Sequence, residues 1–160
     1  MRVIGIDPGS RVTGYGIIEG EGDNLKLVAF GVIRADPHAT LLERYIKIYE
    51  EVKVIIGKYA PGEAAVESIF FCKNASSAIK LGEARSVAML AAGRSGLKVS
   101  EYAPKRVKQA VTGVGTAHKS QVQHMVKQIL KLDEVPKPAD ASDAIAIALC
   151  HIFTKKRTPR

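Results

Sequence analysis

A chain of 160 residues, 46% hydrophobic, is long enough to bury a core and short enough to form one domain. No apolar run approaches the roughly 20 residues of a membrane span, and no basic-then-apolar leader precedes the first strand-like segment; two distant cysteines, Cys72 and Cys150, have neither zinc-site nor disulfide-framework spacing. The net charge of +8 is uneven, with 13 Lys and Arg against 11 Asp and Glu in residues 1–100 but 11 against 5 in residues 101–160, the footprint of a phosphate-backbone binder. The expectation is a single domain over residues 1–154 with a short, frayed basic tail at 155–160, and a cytoplasmic location with two free thiols.

In chain order, Val3 to Asp7 reads as a buried strand. Thr13 to Ile18 and Leu25 to Ile33 follow across turns at Pro8-Gly9-Ser10 and Gly20 to Asn24, giving an antiparallel meander. From Leu41 to Ile56 apolar residues recur at helical spacing, and Gly57 is expected to stop the helix. Glu63 to Glu67 is a short strand. Asn74 or Ser76 caps an Ala-rich helix to about Ala92, and Leu97 to Tyr102 is another strand. Pro104 opens a helix that breaks at Gly113-Val114-Gly115; Lys119 to Leu132 is helical, and a last helix runs from Ala139 to about Phe153 with Ala144, Ile145, Ile147, Ala148 and Cys150 as its apolar face. Three hairpin-connected strands followed by helix, strand, helix, strand predict an α/β domain with a mixed five-stranded sheet, three antiparallel strands and then two parallel, flanked by helices. The right-handed crossover rule returns the fourth strand beside the first.

Asp7 and Glu67 then end adjacent strands, and Asp140 and Asp143, three apart at a helix start, share one helix face. A cluster of four carboxylates repels itself unless a cation neutralises it, and hard, oxygen-ligated Mg²⁺ or Mn²⁺ suits such a set. Taken singly, Asp140 could be a helix N-cap and Asp7 a turn residue before Pro-Gly. His118 and His124, in a basic segment, read as surface or phosphate contacts rather than metal ligands.

Longer blocks carry more. Gly5-Ile6-Asp7-Pro8-Gly9-Ser10-Arg11-Val12-Thr13-Gly14-Tyr15-Gly16 resembles the opening motif of the RuvC family of bacterial Holliday-junction resolvases. Further blocks follow in register: Glu67 with Phe70, Lys73 and Asn74; Lys80 to Arg85; Val107-Lys108-Gln109; Lys119 to Val126; and Ala139 to Ala144. The resemblance covers essentially the whole chain. It implies a ribonuclease H-like fold and a homodimeric, metal-dependent endonuclease that nicks two strands of a four-way DNA junction symmetrically, leaving 5′-phosphate and 3′-hydroxyl ends. It implies two Mg²⁺ per subunit, replaceable by Mn²⁺, held by Asp7, Glu67, Asp140 and Asp143, with Lys119 at the scissile phosphate. Lys108 and Lys73 become DNA contacts, Phe70 an aromatic that meets bases near a T-rich cut, and the RuvA–RuvB branch-migration complex a partner. The small residues Ala78, Ala84, Ala88, Ala91 and Ala92 permit either packing on the sheet or close approach of a second subunit. Three rivals remain: another ribonuclease H-like nuclease, a junction-binding protein without catalysis, and an actin-like ATP-binding lobe, which would need a second lobe to enclose nucleotide.

Overall fold

The structure, a computed structural model, describes residues 1–69 and 74–157. Strands β1 (Arg2–Asp7), β2 (Val12–Glu21) and β3 (Asn24–Arg34) form the meander, followed by α1 (Leu41–Tyr59), β4 (Glu63–Glu67), α2 (Ala75–Arg94), β5 (Lys98–Tyr102), α3 (Pro104–Thr112), α4 (Lys119–Ile129) and α5 (Ala139–Arg157). The sheet order is β3-β2-β1-β4-β5, antiparallel among the first three and parallel from β1 through β4 to β5, as the crossover rule predicts.

Strand periodicity decides which side chains meet which helices. Side chains alternate between the two faces of a strand, so Ile4 and Ile6 join Ala64, Val66 and Ile17 in a core covered by α1 and α2. Val3 and Ala65 join Ile18 in a second core covered by α3, α4 and α5. Asp7 and Glu67 share the parity of Val3 and Ala65 and therefore point to the α5 side. The Ile6–Val66 pair of the parallel ladder lies one residue before them, so the two acids emerge at neighbouring strand ends.

Several boundaries differ from the sequence reading. Helix α1 begins at a capping box closed by Thr40 and Glu43, continues through Gly57 to Tyr59, whose ring packs against the core beyond the expected stop, and ends at Ala60 in the left-handed region, φ 47°. Asn74, not Ser76, caps α2 by accepting a hydrogen bond from Ser77 N at 3.2 Å. Helix α4 stops at Ile129, three residues early, and Lys131 turns left-handed, φ 52°, beyond it. Among the described residues Cys150 is a free, buried thiol pushed up to about 11 by burial; Cys72 lies outside them.

The largest departure is α5. It is buried nearly all round, with Ala141, Ala144 to Cys150 and Ile152 each at 2% exposure or less, because the sheet lies beneath it and α3 and α4 lie over it. An amphipathic face was the wrong expectation for a central helix. Its length is also greater, reaching Arg157 rather than Phe153, and the described part of the expected tail is helical. Lys155 pairs with Glu63, Lys156 pairs with Asp23 at 3.1 Å, and the buried His151 lies 2.9 Å from Glu63 Oε2 through Nε2 and 2.9 Å from Tyr102 Oη through Nδ1. Burial holds His151 below its usual range; the neutral ring donates to Glu63 and accepts from Tyr102. This network anchors the end of α5 remote from its two acids.

Candidate active site

The four acids are carried by three rigid elements. Asp7 ends β1, Glu67 ends β4, and α5 begins at Ala139, so Asp140 lies inside its first turn and Asp143 one turn on. Ala141 N and Ser142 N bond to Pro138 O, which places the helix start before Asp140 and removes the N-cap role considered for it. Behind Asp7 the chain reverses through Pro8-Gly9. Thr13 Oγ1, fully buried, donates to Gly9 O at 2.9 Å and accepts from Gly9 N at 3.3 Å, pinning that turn. Sequence reading took Thr13 only as the start of a strand; its spacing of four from a turn glycine was the available signal.

Charge is concentrated here. The Asp7 carboxyl is pushed up to about 8, first by burial and then by repulsion from Glu67, Asp143 and Asp140, while Lys119 opposes the rise. Glu67 is raised by burial and by Asp143, against the pull of Lys108 and Lys119. Lys119, first residue of α4, places Nζ 2.7 Å from Asp143 Oδ2, and this contact, with the field of Asp140 and Asp7, outweighs partial desolvation to raise its ammonium. Gln121 accepts from His118 N at 2.7 Å and closes the helix start that presents Lys119. Glu67, Asp143, Lys108 and Lys119 ring a cleft of about 180 Å³ whose wall is apolar, formed by Val107, Val122 and Ala146.

The structure thus brings together Asp7, Glu67, Asp140, Asp143, Lys119 and Lys108. Phe70 and Lys73 lie outside the described residues. His118 and His124 are exposed and contribute nothing to the cluster. Among the described residues no three His, Cys, Asp or Glu side chains are already arranged as an ion's ligand set. The donor chemistry nevertheless fits a hard divalent cation, because all four acids offer oxygen and a buried Asp7 facing three like charges is relieved by positive charge.

A family model described as crossover junction endodeoxyribonuclease RuvC matches residues 3–151. The chain belongs to the RuvC family. Among curated RuvC-family relatives, the crossover junction endodeoxyribonuclease RuvC of Geobacter sulfurreducens is 54% identical over 151 residues, covering 94% of this chain and 92% of its own length. That of Hahella chejuensis is 51% identical over 160 residues, covering all of this chain and 92% of its own. Among solved structures, T. thermophilus RuvC in complex with Holliday junction substrate superposes with a TM-score of 0.93 at 37% identity, covering 98% of this chain and 95% of that one. The RuvC resemblance and the ribonuclease H-like fold expected from the sequence are therefore both borne out, and the chain is an endodeoxyribonuclease of that family.

Proposed function

We propose that this chain resolves four-way DNA junctions in homologous recombination and repair, as a cytoplasmic homodimer making symmetric paired nicks. The observation that carries the reading is the convergence of four carboxylates and Lys119 at one end of the sheet, on a chain of net charge +8. Asp7, Glu67, Asp140 and Asp143 would hold the metal, two Mg²⁺ per subunit with Mn²⁺ able to substitute. When bound, these cations supply an activated water and charge to offset the leaving 3′ oxygen, as in other two-metal phosphodiester hydrolyses.

The chain's own groups do the rest. Asp7, which feels Glu67 on one side and the α5 acids on the other, would be the central carboxylate of the set that holds the metal. Lys119 moves its ammonium from Asp143 to a non-bridging oxygen of the scissile phosphate, where it opposes charge that grows as water adds. Lys108, which also lines the cleft, holds the neighbouring phosphate, and the wall formed by Val107, Val122 and Ala146 excludes bulk water. Breaking the P–O3′ bond leaves a 5′-phosphate and a 3′-hydroxyl, ends that can be religated. Phe70 and Lys73 remain assigned to DNA contact, Phe70 to stacking on bases near the cut. RuvA–RuvB is the partner this reading adds on family grounds.

A substrate with two equivalent strands favours a two-fold enzyme. Ala84, Ala88, Ala91 and Ala92 are fully buried within the chain, so they are not the surface for a second subunit. The exposed apolar side chains Leu42, Ile46, Ile79 and Leu90 on α1 and α2 supply a better one, beside the groove that Tyr45 and Glu83 bridge by a hydrogen bond. Ile79→Glu is expected to turn a dimer into a monomer in light scattering at micromolar concentration and to uncouple the two nicks. A monomeric parent protein would sink the dimer.

The test of function is nicking of a mobile four-way junction against linear duplex, in Mg²⁺ and in chelator. Junction-selective, Mg²⁺-dependent, symmetric nicks support the reading. Tight junction binding without cleavage in any divalent metal would replace it with a non-catalytic binder.

A further inference from the structure

We infer that Gly14 is a positioning residue for the acids of α5, because its missing side chain is the seat on which the first turn of that helix rests. The inference rests on the metal-nuclease reading above.

Gly14 pairs with Asp7 across the β1–β2 ladder and, by strand parity, faces α5 as Asp7 does. A methyl built on Gly14 would overlap the Asp140 carbonyl oxygen and stand 2.5 Å from its carbonyl carbon and 3.1 Å from Ala141 N. All three are backbone atoms, so no rotamer change relieves the clash. Further along, a methyl on Gly5 would stand 2.7 Å from Ala148 N, and one on Gly16 would stand 2.5 Å from Ile145 Cγ1 and 2.9 Å from Ile145 N. The helix thus lies with its backbone directly on that of the sheet.

The two ends of α5 respond differently to a push. From Ile145 to Ile152 it is clamped between sheet and covering helices, with His151 and Lys155 tied to Glu63. Its first turn is the less firmly bonded end, because the leading amides of a helix have no intrahelical acceptor and Ala141 N and Ser142 N share the single carbonyl of Pro138. A methyl at Gly14 therefore lifts that first turn, carrying Asp140, and to a smaller extent Asp143, away from Asp7 while the core stays closed. Gly14 never touches metal or substrate; it sets the depth at which Asp140 stands.

The experiment compares the parent protein, Gly14→Ala, and Gly57→Ala as a control at a position where an added methyl meets nothing within 4 Å. Measured are Mn²⁺ uptake without DNA by calorimetry, junction affinity in chelator, the single-turnover nicking rate at saturating junction, and melting temperature. Gly14→Ala should lower Mn²⁺ affinity about tenfold and the rate on the order of 100-fold, the cost of misplacing a reacting constellation by about 1 Å. Junction affinity should stay within about threefold, and Gly57→Ala should match the parent in metal uptake and rate. A folded Gly14→Ala protein with parental Mn²⁺ affinity and rate overturns the inference, as does one that differs only in melting temperature. If Gly14→Ala does not fold, Gly16→Ala carries the test, with smaller losses in the same two readouts; unchanged metal uptake there overturns it. A parent protein that takes up no Mn²⁺ overturns the metal reading itself, a result distinguishable from failure of the seat alone.

Discussion

Asp7→Asn is expected to abolish nicking and, at the same time, to stabilise the metal-free protein. On the reading proposed above, in which Asp7 would help hold the metal, its loss removes several kcal/mol of transition-state charge stabilisation. At 1.36 kcal/mol per tenfold, that is a fall in rate on the order of a thousand-fold. The stability effect has the opposite sign because the Asp7 carboxyl, ordinarily at 3.8, is held at about 8 by burial and by its three acidic neighbours. A raised carboxyl pKa means that the folded chain keeps a proton which the unfolded chain gives up. Stability is therefore lost as pH rises from about 4 to about 8 and stays lost above that. Asparagine carries no such penalty. In chelator the variant should melt higher than the parent, with a gap that widens from pH 5 to pH 8 by several degrees, since about 1 kcal/mol corresponds to roughly 2–4 °C in a domain of this size. Mg²⁺ should raise the melting temperature of the parent more than that of the variant, because a ligand bound only by the folded state stabilises it. A gap that does not change with pH in calorimetric melting would show that Asp7 ionises normally and that the acids do not converge.

Lys119→Gln should separate metal binding from catalysis. The ammonium lies 2.7 Å from Asp143 Oδ2, so it would compete with a cation held by that carboxylate and repel it. Its removal should raise Mn²⁺ affinity in the absence of DNA by a few-fold, the scale of a half-exposed ion pair worth less than about 1 kcal/mol. The same substitution removes the donor proposed above for the scissile phosphate and should slow nicking by roughly 10²–10³-fold, as loss of one oxyanion donor does. Junction affinity should fall only modestly, as expected for one phosphate contact among many. Calorimetric titration with Mn²⁺ and single-turnover nicking check both limbs; a fall in metal affinity alongside the fall in rate would identify Lys119 as a support for the acids rather than a group that exchanges with the metal.

Elements whose cause is local were legible from residues alone. The β4 boundaries, the Pro104 start of α3 and the Gly113 break follow from alternation, a fixed proline φ and a left-handed glycine, φ 81°. The position of each acid at a strand or helix end was equally legible, and the ordered motifs named the family. Elements settled by neighbours were not. Gly57 ought to end a helix, yet α1 passes it because core contacts beyond it outweigh about 1 kcal/mol of glycine propensity. The end of α5 depends on Glu63, nearly a hundred residues earlier in the chain, and its burial all round depends on α3 and α4 folding over it.

For the site itself, the sequence alone determined which groups are available: four oxygen donors, two lysines and a basic surround. Strand parity, a purely local rule, sets which residues of its own strand each acid shares a face with; the register between β1 and β4 then turns Asp7 and Glu67 to the same side of the sheet. Only the tertiary structure decided that α5 covers that side, that its first turn rests on Gly14, that Lys119 meets Asp143, and that burial drives the Asp7 carboxyl to about 8. These are properties of distance and desolvation, which depend on residues far apart in the chain, so periodicity and propensity carry no record of them.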